Sequence, residues 1–169
     1  LASGQSKRFN STKPKQFIKY KNKALFEHSL DKALKSKLFK KIIIVTSDKK
    51  QIKNINSKKV LIIKGGKERS DSSLIALKYI QKFKPLNVLI HDAARPNFTI
   101  KLLKKLIKSL KTNKACIPVI KSKDSIKYKI NNQLFNLDRK NSYLTQTPQA
   151  FKFKDIYDLS VNQKNIIQD

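Results

Sequence analysis

The sequence contains no methionine, one cysteine, three glycines and only 11 acidic residues against 39 lysines and arginines. Cys116 alone cannot close an internal disulfide, and the sequence carries no secretory signal pattern, so a reducing cytoplasm is the expected compartment. No apolar run approaches the roughly 20 residues that a membrane-spanning helix needs. The charge imbalance of +28 excludes an acidic solvating chain and leaves nucleic acid, a membrane surface or a polyanionic small molecule as counterparts. Without methionine, and opening on Leu1-Ala2-Ser3-Gly4 like a strand end entering a loop, the sequence reads as a piece of a longer protein, truncated at both ends. Its 169 residues suit one α/β domain spanning 1–169.

The apolar fraction of 39%, gathered in Ile/Leu/Val runs, is enough to bury a core and argues against disorder. Arginine occurs only at Arg8, Arg69, Arg95 and Arg139, every other basic residue being lysine. Where lysine supplies charge almost everywhere, a retained arginine points to a planar fork that an ammonium cannot imitate. The three glycines, Gly4, Gly65 and Gly66, mark positive φ or a close backbone approach. Lysines are spread from Lys7 to Lys164, with pairs such as Lys40-Lys41 and Lys104-Lys105. A nucleic-acid module concentrates charge on one stripe interleaved with arginine and aromatics, so this spread reads as a general lysine bias with only weak, nonspecific attraction to polyanions.

Strand and helix patterns alternate. Residues 24–39 place Leu30, Leu34 and Leu38 on one helical face, and Lys41 to Thr46 follows as a buried strand. Val60 to Ile63 is a short strand leading into Gly65-Gly66. A helix over about 70–83 turns Leu74, Leu77 and Ile80 inward, with Ser70 or Asp71 as its cap. Asn87 to Ile90 is the next strand, about 99–110 the next helix with Leu103, Ile107 and Leu110 aligned, and Ala115 to Val119 another strand. This rhythm predicts βαβ units in a mostly parallel sheet with helices on both faces. Between 121 and 141 the rhythm changes: Ser125 to Ile130 alternates with period two, Asn131-Asn132 is a turn, and Gln133 to Leu137 runs back. This predicts a protruding β-hairpin arm, and an exposed arm of this kind suggests a partner copy.

In open α/β sheets ligands bind beyond the carboxyl ends of the strands. The segments expected there include Ala2-Ser3-Gly4, Gly65-Gly66 and His91-Asp92-Ala93-Ala94-Arg95-Pro96. Small residues near Arg8 and Lys15 let backbone N–H groups approach phosphates while two cations neutralise a triphosphate. It is not a Walker loop, because Gly-Lys-Ser/Thr is lacking. Asp92, at a strand end beside two alanines and Arg95, suits a metal or ribose contact, or caps the following turn. His91, His28 and Cys116 read as structural residues, since none has a metal-spaced companion.

These segments, with Pro14-Lys15-Gln16, Gly65-Gly66-x-x-Arg69-x-x-Ser72, Asp124-Ser125-Ile126-Lys127, Asp138-Arg139 and Gln146-Thr147-Pro148-Gln149-Ala150-Phe151, together resemble the cytidylyltransferases that act on 2-C-methyl-D-erythritol 4-phosphate. The motifs occur in the family order over nearly the whole chain, and all four arginines and all three glycines fall within them. The resemblance implies a Rossmann-like nucleotidyltransferase sheet that moves CMP from CTP to the polyol phosphate with release of pyrophosphate. Ala2, Ser3 and Gly4 would line the nucleotide, with Gly66, Lys67 and Ser72 at the cytosine. Arg8 and Lys15 would be catalytic, covering charge at the α-phosphate. Asp92, Ala93 and Arg95 would lie at the ribose and incoming substrate, with Asp92 holding Mg²⁺ or another divalent cation. Ser125, Arg139 and Thr147 would bind the polyol phosphate, the first two from the arm of a neighbouring subunit in a homodimer.

Several residues depart from the family pattern. Ser3 and Ser6 stand where Ala and Gly are common, and Ser125 stands for Thr. The family's first strand and a C-terminal part with a further lysine and aspartate are not in this sequence. The rival readings are a ribitol 5-phosphate cytidylyltransferase of the same family, against which Ala94-Arg95-Pro96-Asn97 argues, and a basic nucleic-acid-binding protein, for which only the net charge argues.

Overall fold

The computed structural model describes residues 1–4, 13–52 and 55–162. In chain order the elements are β1 (Lys19–Tyr20), β2 (Lys23–Ala24), α1 (Leu25–Ser36), β3 (Ile42–Thr46), β4 (Val60–Lys64), α2 (Arg69–Ile80), β5 (Asn87–Ile90), α3 (Ile100–Ser109), β6 (Ala115–Cys116), β7 (Val119–Lys121), β8 (Ile126–Ile130), β9 (Gln133–Leu137), β10 (Tyr143–Thr145), β11 (Gln149–Lys152) and α4 (Phe153–Asn162).

The sheets are mixed. β3 and β4 pair in parallel, and β11 lies antiparallel between β5 and β6, so β5 and β6 share a direction. Leu1 and Ala2 stitch the two groups together. The Ala2 amide donates to the Val45 carbonyl at 2.6 Å, the Leu1 nitrogen to the His91 carbonyl at 2.5 Å, and the Ala93 amide to the Leu1 carbonyl at 2.9 Å. β11 runs backwards because it follows β10 across three residues, with no crossover helix to turn the chain round. β10 in turn pairs antiparallel with β7. The strand expected over 115–119 is split into β6 and β7 around Ile117-Pro118, since proline cannot donate to a ladder.

Helices α1, α2 and α3 begin where the backbone finds a cap. Thr99 Oγ1 accepts the Leu102 amide at 3.1 Å, and Glu27 accepts the Ala24 amide at 2.6 Å. α2 starts at Arg69 with Glu68 as its N-cap; of the two expected caps, Ser70 lies within the helix and Asp71 reaches back to the Glu68 amide at 3.1 Å. The α2 helix ends at Ile80, and a 3-10 turn completes the expected segment to Phe83.

Phe26 and Leu30 of α1 pack with Ile44 of β3 and Ala2, while Leu106 and Leu110 pack on Ala150 of β11. Leu77 and Leu103 are among the most deeply buried side chains. Each such leucine contributes about 1.5–3 kcal/mol of apolar burial, which fixes the strand ends from which the site is built. The hairpin of β8 and β9 forms as expected, turning at Asn131 and Asn132 with φ of 45° and 65°, as a tight two-residue turn requires. Among the described residues no helix is long and apolar enough to cross a membrane.

Candidate active site

Past the end of β3 the chain of Ala2, Ser3 and Gly4 is held from below by one side chain. Gln16, 4% exposed, donates from Nε2 to the Ala2 carbonyl at 2.8 Å and the Gly4 carbonyl at 2.9 Å. Gln16 stands in the 3-10 turn Lys15–Phe17, so its anchoring also fixes where Lys15 begins its reach. Arg8 lies outside the described residues. Ser3 Oγ meets Ser72 Oγ at 2.7 Å, and Ser72 Oγ accepts the Gly66 amide at 3.1 Å, so the first loop, the Gly65-Gly66 turn and α2 are joined.

Gly65 and Gly66 serve close approach, and no described glycine is at positive φ. A Cβ on Gly65 would stand 2.8 Å from both Ser3 Cβ and Ser72 Oγ, and one on Gly66 would collide with Asp71 Cβ. Gly4 has open space around its Cα, so neither reason applies there. Lys67 is exposed beside this turn.

Beyond β5, Asp92 is bracketed by two guanidinium groups. Arg69 Nε is 3.1 Å from Oδ1 and Arg95 Nε is 3.3 Å from Oδ2. Each arginine is held a second time, Arg69 by Gln149 Oε1 at 3.4 Å and Arg95 by Gln146 Oε1 at 3.2 Å. Asp92 to Arg95 forms a tight turn, with the Arg95 amide donating to the Asp92 carbonyl at 3.0 Å, and Ser29 Oγ donates to the Ala93 carbonyl at 2.9 Å. The Asp92 amide donates to Thr147 Oγ1 at 3.3 Å, so the acidic turn and the Gln146-Thr147 segment are one unit. Thr147 precedes a cis proline, Pro148.

Thr147 Oγ1 also lies 2.9 Å from Nδ1 of His91. Burial lowers the His91 imidazole from its usual 6.5 to about 4, with Asp92 opposing it. The ring is therefore neutral at pH 7, in keeping with the structural role expected for it. Among the described residues no group of three His, Cys, Asp or Glu side chains stands together as a ready metal cage.

The structure thus brings together Ala2, Ser3, Gly66, Ser72, Asp92, Ala93, Arg95 and Thr147, with Lys15 next to the residue that clamps the first loop. Ser125 and Arg139 are exposed beside the β8–β9 hairpin and have no hydrogen bond to these residues, Arg139 Nη1 donating to the Lys123 carbonyl at 3.4 Å. Sequence reasoning missed Gln16 as a clamp and Arg69 as the partner of Asp92. The scarcity of arginine was the signal for Arg69. An apolar cavity of about 640 Å³ between the edges of β3 and β5 is lined by Ile42, Ile44, Val88 and Leu77 among others; Arg69, Asp92 and Arg95 lie outside it.

A small-residue loop, a glycine turn at a helix start and an arginine-bracketed carboxylate all lie at strand ends of one α/β fold, where such folds bind their ligands. Two solved structures share the fold. The bifunctional IspDF of Campylobacter jejuni matches with a TM-score of 0.82 at 28% identity, covering 99% of this chain and 43% of that one. The 4-diphosphocytidyl-2C-methyl-D-erythritol synthase of Anaerococcus prevotii matches with a TM-score of 0.79 at 28% identity, covering 91% and 74%. The family model of IspD, 2-C-methyl-D-erythritol 4-phosphate cytidylyltransferase, matches residues 1–166. The chain belongs to this family, and so to the cytidylyltransferases.

Among its relatives, the bifunctional enzyme IspD/IspF of Pelagibacter ubique is 48% identical over 100% of this chain and 46% of its own length. The 2-C-methyl-D-erythritol 4-phosphate cytidylyltransferase of Thermotoga neapolitana is 33% identical over 90% of this chain and 71% of its own. The chain therefore spans about half the length of the bifunctional relative and about seven-tenths of the monofunctional one.

Proposed function

We propose that the protein transfers CMP from CTP to 2-C-methyl-D-erythritol 4-phosphate through the rim formed by Ala2, Gly66, Asp92 and Thr147. The observation that carries this reading is the Asp92–Thr147 hydrogen bond, which fastens the turn proposed for the nucleotide ribose to the segment proposed for the polyol phosphate. The names of the relatives favour this acceptor over ribitol 5-phosphate, and an enzyme over a nucleic-acid-binding module.

An oxygen of the 4-phosphate, already anionic, attacks the α-phosphorus of CTP in line. The new P–O bond forms as the bond from the α-phosphorus to the bridging oxygen breaks, and pyrophosphate leaves with that electron pair. No general base is needed, which suits a site whose histidine is neutral and half enclosed. What the site supplies is alignment of two anions and cover for charge at the α-phosphate. Lys15 and Arg8 give that cover, while backbone groups of Ala2, Ser3 and Gly4 face the triphosphate. Gly66, Lys67 and Ser72 hold the cytosine, and Ala93 and Arg95 sit at the ribose and incoming substrate.

A single carboxylate fits a magnesium ion that is carried mainly by substrate phosphates, provided that Asp92 gives up one of its two arginine contacts to it. Asp92 would hold it, and the bound cation would neutralise phosphate charge.

For the fold we infer one Rossmann-like sheet in the order β4, β3, Leu1-Ala2, β5, β11, β6, mostly parallel with β11 reversed and helices on both faces. The hydrogen bonds of Leu1 to residues 91 and 93 support this. The arm, residues 121–141 within a single domain 1–169, is proposed to protrude and pair two copies. Its apolar side chains, such as Leu134 at 67% exposure, support a homodimer in which Ser125 and Arg139 reach the partner's polyol phosphate. A cytoplasmic location is in keeping with the lone Cys116. The test is Lys15→Ala, which should abolish pyrophosphate release and leave the thermal unfolding curve in place; unchanged activity would refute the role of Lys15.

A further inference from the structure

His91 takes no part in the chemistry above, yet it occupies the joint between the two halves of the site. Its ring stands edge-on to the buried Phe98, with centroids 4.7 Å apart and an interplanar angle of 74°. Its backbone carbonyl is fixed by the Leu1 nitrogen. Nε2 is enclosed and has no hydrogen-bond partner among the described residues. The ring's directed bond therefore runs through Nδ1 to Thr147 Oγ1 at 2.9 Å. A hydroxyl has one proton and two lone pairs. Thr147 Oγ1 accepts the Asp92 amide, and with His91 as the tautomer whose Nδ1 accepts, the Thr147 proton points to that nitrogen, which gives its rotor a single orientation.

We propose that His91 is a positioning residue for this reaction: through Nδ1 it locks the Thr147 hydroxyl, so that the polyol-phosphate pocket keeps one geometry. The inference rests on the reading of Thr147 and Asp92 given above. Without His91 the threonine rotor is free. The acceptor substrate then binds less well, and the nucleotide, held by Gly66 and Ser72 on another element, does not.

Asparagine places an amide where Nδ1 stands, whereas glutamine places it nearer Nε2, and phenylalanine keeps the ring against Phe98 without any nitrogen. His91→Phe and His91→Gln should raise KM for the polyol phosphate about five- to tenfold, the worth of one ordered hydrogen bond, with KM for CTP unchanged. His91→Asn should restore KM to within about twofold of the parent. Equal KM values in all three variants, or a matching rise in KM for CTP, would overturn the proposal.

A second measurement needs no variant of His91. The chain has two histidines, so ¹⁵N-imidazole spectra contain two rings, and His28→Gln assigns them. Adding the polyol phosphate in the presence of CTP should shift the His91 Nδ1 resonance, whereas CTP alone should leave it in place. The absence of any shift on adding polyol phosphate, in a protein that releases pyrophosphate, would overturn the proposal. Failure of the parent protein to release pyrophosphate would instead refute the underlying reading.

Discussion

Arg69 Nε lies 3.1 Å from Asp92 Oδ1 across 23 residues of sequence, which ties the first turn of α2 to the end of β5. The same guanidinium reaches Gln149 through Nη2, so its fork spans β5 and β11. Lysine offers one point charge and cannot hold both partners. Arg69→Lys should therefore lower kcat/KM by about tenfold, through a misplaced Asp92. Stability should fall by no more than about 1 kcal/mol, because the ion pair is solvent-exposed. Urea unfolding beside pyrophosphate-release kinetics separates the two effects.

Gly66→Ala should cost about 1–3 kcal/mol, the usual range for forcing a methyl group into filled space. The new Cβ would strike Asp71, which caps α2 through the Glu68 amide. KM for CTP should rise as well, since the Gly66 amide bonds Ser72 Oγ. Gly4→Ala is the control: nothing stands within 4 Å of its added Cβ, and its stability should change by less than about 0.5 kcal/mol. Thermal denaturation of the two variants checks the contrast.

Scarcity of glycine has a price elsewhere in the chain. Lys37 closes α1 at φ 57°, and Lys84 ends the turn after α2 at φ 47°, both left-handed positions that glycine adopts without steric penalty. Lys37→Gly and Lys84→Gly should each stabilise the fold by about 1 kcal/mol, read as a higher urea midpoint at constant slope.

Leu134→Asp, on the hairpin strand β9 whose residues are all exposed, should leave the monomer's stability unchanged and shift sedimentation from the proposed dimer to monomer. A dimer that persists would remove the arm from the proposed interface.

Much of this was legible in the residues, and what was missed has identifiable physical causes. The hairpin followed from the alternation of Ile126, Tyr128 and Ile130 and from two asparagines able to take positive φ. β3, β4 and β5 are apolar runs and stood out at once. β10 and β11 did not, because each is three or four residues long and flanked by Gln146-Thr147-Pro148, and only their partners in the sheet hold them extended. The reversal of β11 was equally hidden, since direction depends on how the chain returns from the arm. In the candidate site, Asp92 and Thr147 stand out in the sequence as motif residues, but their mutual bond does not, because 55 residues separate them and periodicity carries no information over that distance. Gln16 escaped notice because a buried amide that clamps two carbonyls looks, in sequence, like any polar residue after a proline.

The most direct measurement is pyrophosphate release by the protein with CTP and Mg²⁺, comparing 2-C-methyl-D-erythritol 4-phosphate with ribitol 5-phosphate as acceptor. The account predicts release with the first and only background with the second. Release with ribitol 5-phosphate alone, or with neither acceptor in a folded protein, would contradict it.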